Sequence, residues 1–479
     1  MARVSATAKP RTATARTADL FAPAYRGLTI GLVSTITLVA LESLAIGTVM
    51  PIVADELGDL SLYGWVYSAF FLGNLVGTVI AGGALDRMPL HRPYAAGLLL
   101  FALGLLGGGL ATSMPLLVLA RFVQGLGGGA VAPAAYTAIG RCLPERLQPR
   151  MFAMLSTAWV VPGIIGPSLA ALVGQVTTWR LVFLGLLPFL AVAGGFAYRA
   201  LRQVGGAEPT GTIASHRTSA RFVRAVAAAG GAGLLVAALG FTEPWIVVAG
   251  AIVGAAILLP AFRSLTPPGT LRLAVGVPAA VLLRAVMTFA FFASDAYIPL
   301  LLQTWRGTPP VLTGIVFTAT TVAWTAGTWY QARHIDRHGP RLFVAAGFAV
   351  VAAGIALTLP ALVPGVPPEI TIVTWILPGV GMGFMYSAVT LVVLRGVAPA
   401  EQGSASSSLQ LADILGTALG TGIAGAITAA GERSGVDGLG WALGAVLALS
   451  LLVSLFGLVA SGRVATGSQP REAERAAVD

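Results

Sequence analysis

Leu119-Ala-Arg-Phe-Val-Gln-Gly-Leu-Gly-Gly-Gly-Ala130 sets one permanent positive charge in a run from Pro115 to Ala138 that is otherwise apolar or small. Placing a guanidinium at the centre of a membrane helix costs roughly 2.5–3.5 kcal/mol on insertion scales, so Arg121 calls for a partner or a function. Gly125, Gly127, Gly128 and Gly129 beside it carry no side chain, and small residues of this kind let membrane helices approach backbone to backbone. The stretch reads as a polar centre between tightly packed, movable helices.

Composition agrees with that reading. The 479 residues are 56% hydrophobic and 10% charged, with a mean hydropathy of +0.85, which places the chain among polytopic membrane proteins and not water-soluble globules. About 20 apolar residues cross roughly 30 Å of hydrocarbon at 1.5 Å per residue. That window finds fourteen spans, from 28–50 through 151–174 and 275–302 to 438–460. The seventh (222–240) and eighth (245–262) flank a tight Phe241-Thr-Glu-Pro-Trp245 turn.

With the N-terminus in the cytosol, the 29 Lys and Arg residues divide one-sidedly. Arg180, Arg306 and Arg433 fall in outer turns, Arg121 and Arg284 within helices, and all the others on the cytosolic side, as the positive-inside rule requires. A miscounted helix would invert every loop after it, so the bias supports the even total, a multi-pass protein of the plasma (inner) membrane, and two cytosolic termini. The net charge of +10 is spread over short loops, so topology accounts for it and no nucleic-acid partner is expected. The first 25 residues lack an apolar core followed by a cleavage site and read as a tail.

Catalytic and ligand-binding signatures are missing. Cys142 is the single cysteine, which excludes an intramolecular disulfide and a cysteine metal cluster. The four histidines lack metal spacing and no Walker loop occurs. The chain is expected to be no enzyme, to hold no metal or cofactor, and to draw on a proton gradient.

An internal repeat sets the organisation. Gly82-Gly-Ala-Leu-Asp86-Arg87 follows the second span, and Ala332-Arg-His-Ile-Asp336-Arg337 precedes the eleventh. The same device in two equivalent cytosolic loops fits a transporter built from two related six-helix bundles. The predicted fold class is an all-α membrane protein with two extra central helices. Residues 1–25 form a disordered cytosolic tail, 26–200 the N-terminal bundle, 201–274 a linker with the two extra helices, 275–462 the C-terminal bundle and 463–479 a second disordered tail.

The chain resembles the major facilitator superfamily, in particular its fourteen-spanner drug:proton antiporter branch, over nearly its whole hydrophobic length. Gly82, Asp86 and Arg87 look like the family's gating motif, and Arg121 with Gln124 and Gly125 like its fourth-helix motif. Trp159-Val-Val-Pro162-Gly163-Ile-Ile-Gly166-Pro167 looks like the antiporter motif of helix five. Leu41-Glu42 through Thr48-Val-Met-Pro51 looks like the first-helix motif of that branch. The chain departs from the pattern at Pro89, at Leu90-His91, at Glu42 in place of an aspartate, and at Ala170 in place of a glycine.

Each motif has a physical use. Asp86 and Arg87, mirrored by Asp336 and Arg337, can pair with charges and helix ends on the facing bundle and close the cytosolic side. Pro162 and Pro167 bend helix five, and Gly163 and Gly166 let it pack closely at the bundle interface. Inside the spans, Glu42 lies about 20 Å along the first helix at 1.5 Å per residue, Asp295 sits at a similar depth in the ninth, and Asp413 in the first half of the thirteenth. A carboxylate in a dry cavity can exchange a proton or hold a cation. Arg284 and Asp295 share a helical face, too far apart for contact. Tyr67, Asn74, Tyr136, Trp159, Tyr297, Trp324, Trp375 and Tyr386 are candidate cavity liners.

The sequence therefore predicts proton-coupled efflux, by alternating access, of small amphipathic compounds, cations among them. Glu42, Asp295 and Asp413 would exchange proton and substrate, with Arg121 holding a nearby carboxylate ionised in one conformation and releasing it in another. The expected partners are a small-molecule or lipid-like substrate, protons and the bilayer, with the chain acting as a monomer. Export of a lipid or specific metabolite by the same fold is the alternative. A non-transporting scaffold or sensor is a third reading, which long soluble domains would favour.

Overall fold

The computed structural model describes residues 17–85, 87–203, 215–398, 401–435 and 438–464. All regular structure among them is helical. Fourteen helices are long and apolar enough to cross a membrane: α1 (Arg26–Leu57), α2 (Leu60–Leu85), α3 (His91–Gly109), α4 (Met114–Cys142), α5 (Arg150–Val176), α6 (Arg180–Gln203), α7 (Ala220–Leu239), α8 (Pro244–Leu265), α9 (Val277–Trp305), α10 (Pro310–His338), α11 (Pro340–Leu362), α12 (Ile370–Arg395), α13 (Gln402–Arg433) and α14 (Gly438–Arg463). The even number returns both ends of the helical array to one side, called the termini face below.

Several helices outrun the hydropathy window; α1, for instance, continues to Leu57. The window detects the hydrocarbon core alone, whereas the backbone stays helical into the interface. The expected tail boundary at residue 25 also shifts. Thr17–Phe21 forms a 3₁₀ turn, Leu20 is buried, and Thr29 donates to the Leu20 carbonyl at 2.9 Å. Residues 1–16, 204–214 and 465–479 lie outside the described residues.

Two bundles, α1–α6 and α9–α14, are joined by the α7–α8 hairpin. Gly231 and Gly254 bring the two hairpin helices together, a Cβ on either lying 2.7 Å from the facing helix's backbone nitrogen. The hairpin leans on the seam between bundles: Gly233 of α7 faces Leu72 of α2, Val236 faces Gly422 of α13, and Arg433 donates to the Gly240 carbonyl at 2.8 Å.

Prolines break two helices where their rings meet the carbonyl four residues back. In α5 the helix is interrupted between Thr157 and Val160, and Pro162 stands four residues after Ala158. In α9 the regular helix ends at Asp295 and continues as a wider π-type turn over Leu300–Trp305. Pro299 is four residues after Asp295, so the break frees the backbone beside an intramembrane carboxylate, where π-turns commonly mark functional positions.

The glycine edge of α4 packs as its sequence requires. A Cβ on Gly125 would stand 2.0 Å from the Phe70 carbonyl oxygen of α2, and one on Gly127 2.2 Å from the Phe101 nitrogen of α3. Gly82, by contrast, has nothing within 4 Å of such a Cβ. Gly125→Val is expected to destabilise the protein by about 1–3 kcal/mol or more by forcing backbones apart, whereas Gly82→Ala leaves stability unchanged or higher. Thermal unfolding of the detergent-solubilised variants measures both. Equal midpoints for Gly125→Val and wild type would refute the close packing.

Candidate substrate and ion-coupling site

In the N-terminal bundle the charge of the opening stretch is paired. Arg121 Nη1 of α4 donates to Glu42 Oε1 of α1 and, at 2.7 Å, to Gln124 Oε1 one turn along; its Nε donates to the Val66 carbonyl at 3.3 Å. The guanidinium lies 4.4 Å from the Phe70 ring centre. Glu42 is 0% and Arg121 2% exposed, so this is a buried pair, strongly destabilising to break.

The C-terminal bundle holds a second pair. Arg284 Nε of α9 donates to Asp413 Oδ1 of α13 at 3.0 Å, and its Nη1 to the Tyr386 carbonyl of α12 at 2.8 Å. Tyr386 donates through its hydroxyl to Asp413 Oδ2 at 3.1 Å and carries the guanidinium 3.2 Å from its ring centre. The helical-face argument relates Arg284 to Asp295 on its own helix; in three dimensions its ion pair is instead with Asp413, 129 residues away.

Asp295 is the carboxylate left over. Its hydrogen bond comes from Trp375 Nε1 of α12, at 2.9 Å, and among the described residues no ion pair includes it. Around it the wall is aromatic: the Phe291 ring centre lies 5.6 Å from that of Trp324 and 6.5 Å from that of Trp375, and Trp324 lies 5.6 Å from Tyr386. From the N-terminal bundle, Tyr63 packs between Tyr67 at 5.8 Å and Tyr297 at 5.2 Å. Five of the expected liners, Tyr67, Tyr297, Trp324, Trp375 and Tyr386, thus belong to this central group. Tyr136 and Trp159 are 50% and 46% exposed instead, and the Asn74 side chain sits by Gly128 between α2 and α4.

The two bundles meet in the middle of the molecule and its half away from the termini. Tyr63 donates to the Ala296 carbonyl at 3.2 Å, Ser68 to the Ala418 carbonyl at 2.9 Å, and Gln303 to the Thr48 carbonyl at 2.9 Å. The antiporter-like residues of α5 sit at this interface. Pro162, Gly163, Gly166 and Pro167 are all buried. Gly163 faces Thr321 of α10, Gly166 faces Leu41 of α1, and Thr318 of α10 donates to the Ile164 carbonyl at 2.9 Å. Toward the termini face α5 and α10 diverge, leaving a cleft of about 510 Å³ lined by Val160, Ile164, Val322 and Trp329 with Arg333 and His334 among its polar walls.

Among the described residues, Gly82, Arg87, Asp336 and Arg337 make no ion pair between the bundles. Asp86 lies outside the described residues; Gly82 and Arg87 are exposed. Asp336 and Arg337 occupy the last turn of α10 and not a loop, because the helix continues to His338 and turns at Gly339, where φ is 76°. Asp336 pairs with Arg395 of its own bundle at 3.7 Å, with the side chains 82% and 64% exposed, an arrangement that contributes little. The bundles are thus in contact across the far half, with the α5–α10 cleft opening toward the termini face.

The sequence model of the Major Facilitator Superfamily matches residues 28–363. The chain is 27% identical over 448 residues to a probable multidrug-efflux transporter of Mycobacterium tuberculosis (strain ATCC 25618 / H37Rv), covering 90% of this chain and 94% of the relative. It is 29% identical over 186 residues to a multidrug transporter protein of Bacillus subtilis (strain 168), covering 39% and 34%. Its fold is similar to that of a mutant peptide transporter crystallised with alafosfalin, with TM-score 0.67, 16% identity, and 92% and 96% of the two chains covered. A bacterial homologue of the human lysosomal transporter Spinster, crystallised inward-facing and unoccupied, gives 0.65 at 15% identity over 92% and 98%. With two six-helix bundles and an inserted hairpin, this chain belongs to the major facilitator superfamily as a fourteen-helix member.

Proposed function

We propose that this transporter exports small amphipathic compounds, cations among them, in exchange for protons. The observation that carries the reading is the charge balance of the membrane interior. Glu42 is matched by Arg121 and Asp413 by Arg284, while among the described residues no cation pairs with Asp295. One uncompensated carboxylate in a low-dielectric site needs either a proton or a cationic ligand. Occupation by one excludes the other, and exchange follows from that competition. The names of the M. tuberculosis and B. subtilis relatives support multidrug efflux, and the aromatic wall suits ring-bearing substrates.

In this reading the termini face the cytosol and the protein works as a monomer in the plasma membrane. Asp86, Arg87, Asp336 and Arg337 come together across the bundles when the cytosolic side shuts, with Gly82 leaving room beside the last turn of α2. Pro162, Gly163, Gly166 and Pro167 keep α5 tight against α1 and α10, which limits leak. The test is transport of a cationic dye into liposomes under an imposed proton gradient. Wild type accumulates the dye, and Glu42→Gln, which leaves Arg121 uncompensated against the incoming cation, slows accumulation at least about tenfold, equivalent to 1.4 kcal/mol. Accumulation that ignores both the gradient and the substitution would sink the proposal.

A second reading rests on the α5–α10 cleft. Its walls are apolar and aromatic, and Arg333 and His334 are its basic residues, a combination that suits a lipid-like molecule with an acidic head. Gradient-driven movement of such a lipid analogue, with no recognition of any cationic dye, would favour it.

A further inference from the structure

The inserted hairpin leaves a gap against the C-terminal bundle. Its second helix, α8, packs chiefly on α7 and is the least buried of the fourteen spans. The end of α8 is tied to α13 by Ser408, whose hydroxyl donates to the Leu265 carbonyl at 3.0 Å. Beside that tie lies a groove of about 250 Å³, bounded by Leu259 and Phe262 of α8, Leu271 of the following turn, Ala285 and Phe289 of α9 and Leu419 of α13. Every residue lining it is apolar or glycine, and Leu259 and Leu271 are 49% and 40% exposed. Walls without a polar side chain cannot give a water the two to four partners it needs, and an empty groove would forfeit dispersion contacts along its length. The fitting occupant is hydrocarbon.

Two cations stand at the end of the groove nearest the termini face. Arg263 follows Leu259 by four residues, which places it on the same face of α8 one turn nearer the helix end. Arg272 follows Leu271 in the Thr270–Arg272 turn that leads to α9. Both are exposed, and among the described residues neither makes an ion pair. Positive-inside bias accounts for arginines at this face in general; these two flank an apolar groove that opens between spans.

We propose that the groove holds an acyl chain of one anionic phospholipid from the termini-face leaflet, with its phosphate held by Arg263 and Arg272. Phe289 lies about 18 Å along α9 from Val277 at 1.5 Å per residue, which is acyl-chain depth in a hydrocarbon core roughly 30 Å thick. Guanidinium groups match phosphate through paired N–H donors, and basic pockets between spans take anionic head groups. The chain covers the face of α8 turned toward α9 and α13, so the lipid seats the hairpin against the C-terminal bundle. This site shares no residue with the α5–α10 cleft, and the lipid in it is resident and not transported.

The test is native mass spectrometry of the purified protein in detergent, titrated with phosphatidylglycerol and with phosphatidylcholine of the same chains. Wild type is expected to retain one phosphatidylglycerol at a concentration about twenty-fivefold below that needed for phosphatidylcholine, roughly fivefold for each arginine. Arg263→Gln combined with Arg272→Gln removes the preference, and Ala285→Phe, which puts a ring in the groove, loses both lipids. Unfolding midpoints without added lipid show whether each variant is folded; should Ala285→Phe fail to fold, the arginine pair and the lipid comparison decide alone. Equal retention of the two lipids by wild type would overturn the proposal, as would a preference that survives both arginine substitutions. Undiminished retention by folded Ala285→Phe, or glycerol phosphate binding as tightly as the whole lipid, would remove the groove from the site. Dimers that carry no lipid would give the groove to a second copy of the chain and end the proposal.

Discussion

Asp295→Asn is expected to abolish gradient-driven transport of cations while leaving the fold and the handling of neutral compounds intact. The substitution preserves shape, and an asparagine oxygen can still accept from Trp375 Nε1, which now donates to Asp295 Oδ1 at 2.9 Å. What it changes is the charge of the interior, from one excess carboxylate to none, since Glu42 and Asp413 stay matched by Arg121 and Arg284. A cation seated about 4 Å from a carboxylate at an effective dielectric constant of about 20 gains about 4 kcal/mol. Losing that attraction weakens binding roughly a thousandfold. Neutral ring compounds, held by the aromatic wall, should keep their affinity. Fluorescence titration with a cationic dye and an uncharged analogue, beside gradient-driven transport of each, separates the two effects. Wild-type affinity and coupling in Asp295→Asn would mean that one of the paired carboxylates exchanges the proton, which requires an ion pair to open at each cycle.

The helices were readable because a membrane reduces the problem to length and apolarity, and the inserted hairpin because arginine placement allows one parity of crossings. Partners across helices were harder. Arg284 and Asp295 are related by spacing along one helix, a relation any reader of the chain can compute. Arg284 and Asp413 are related only by the packing of α9 against α13, which no local pattern encodes. The breaks were present in the sequence as Pro162 and Pro299, but the one in α9 gains meaning only when Asp295 is seen to be four residues back and to lack a cation. Gln124 reads as a motif residue; its use as a second acceptor for Arg121 depends on the turn between them facing α1 and α2.

Arg121→Met is expected to be the most destabilising of the charge substitutions. Methionine replaces the length of the arginine stem and can fill the space beside Phe70, so lost packing is small. What remains is Glu42, 0% exposed, with its cation gone and one oxygen already unpartnered. Removing one member of a buried pair costs about 3–5 kcal/mol because the other is stranded, whereas an exposed pair such as Asp336 with Arg395 contributes little. Two further measurements identify the cause. The double substitution Glu42→Gln with Arg121→Met should recover much of the loss, since no charge is then buried, and the coupling energy follows from the four unfolding midpoints. The single variant's deficit should also shrink as the pH is lowered, because the stranded carboxylate can then take up a proton. A loss of under about 1 kcal/mol, the range of surface pairs, would mean that water already reaches Glu42. The charge balance that singles out Asp295 would then no longer hold.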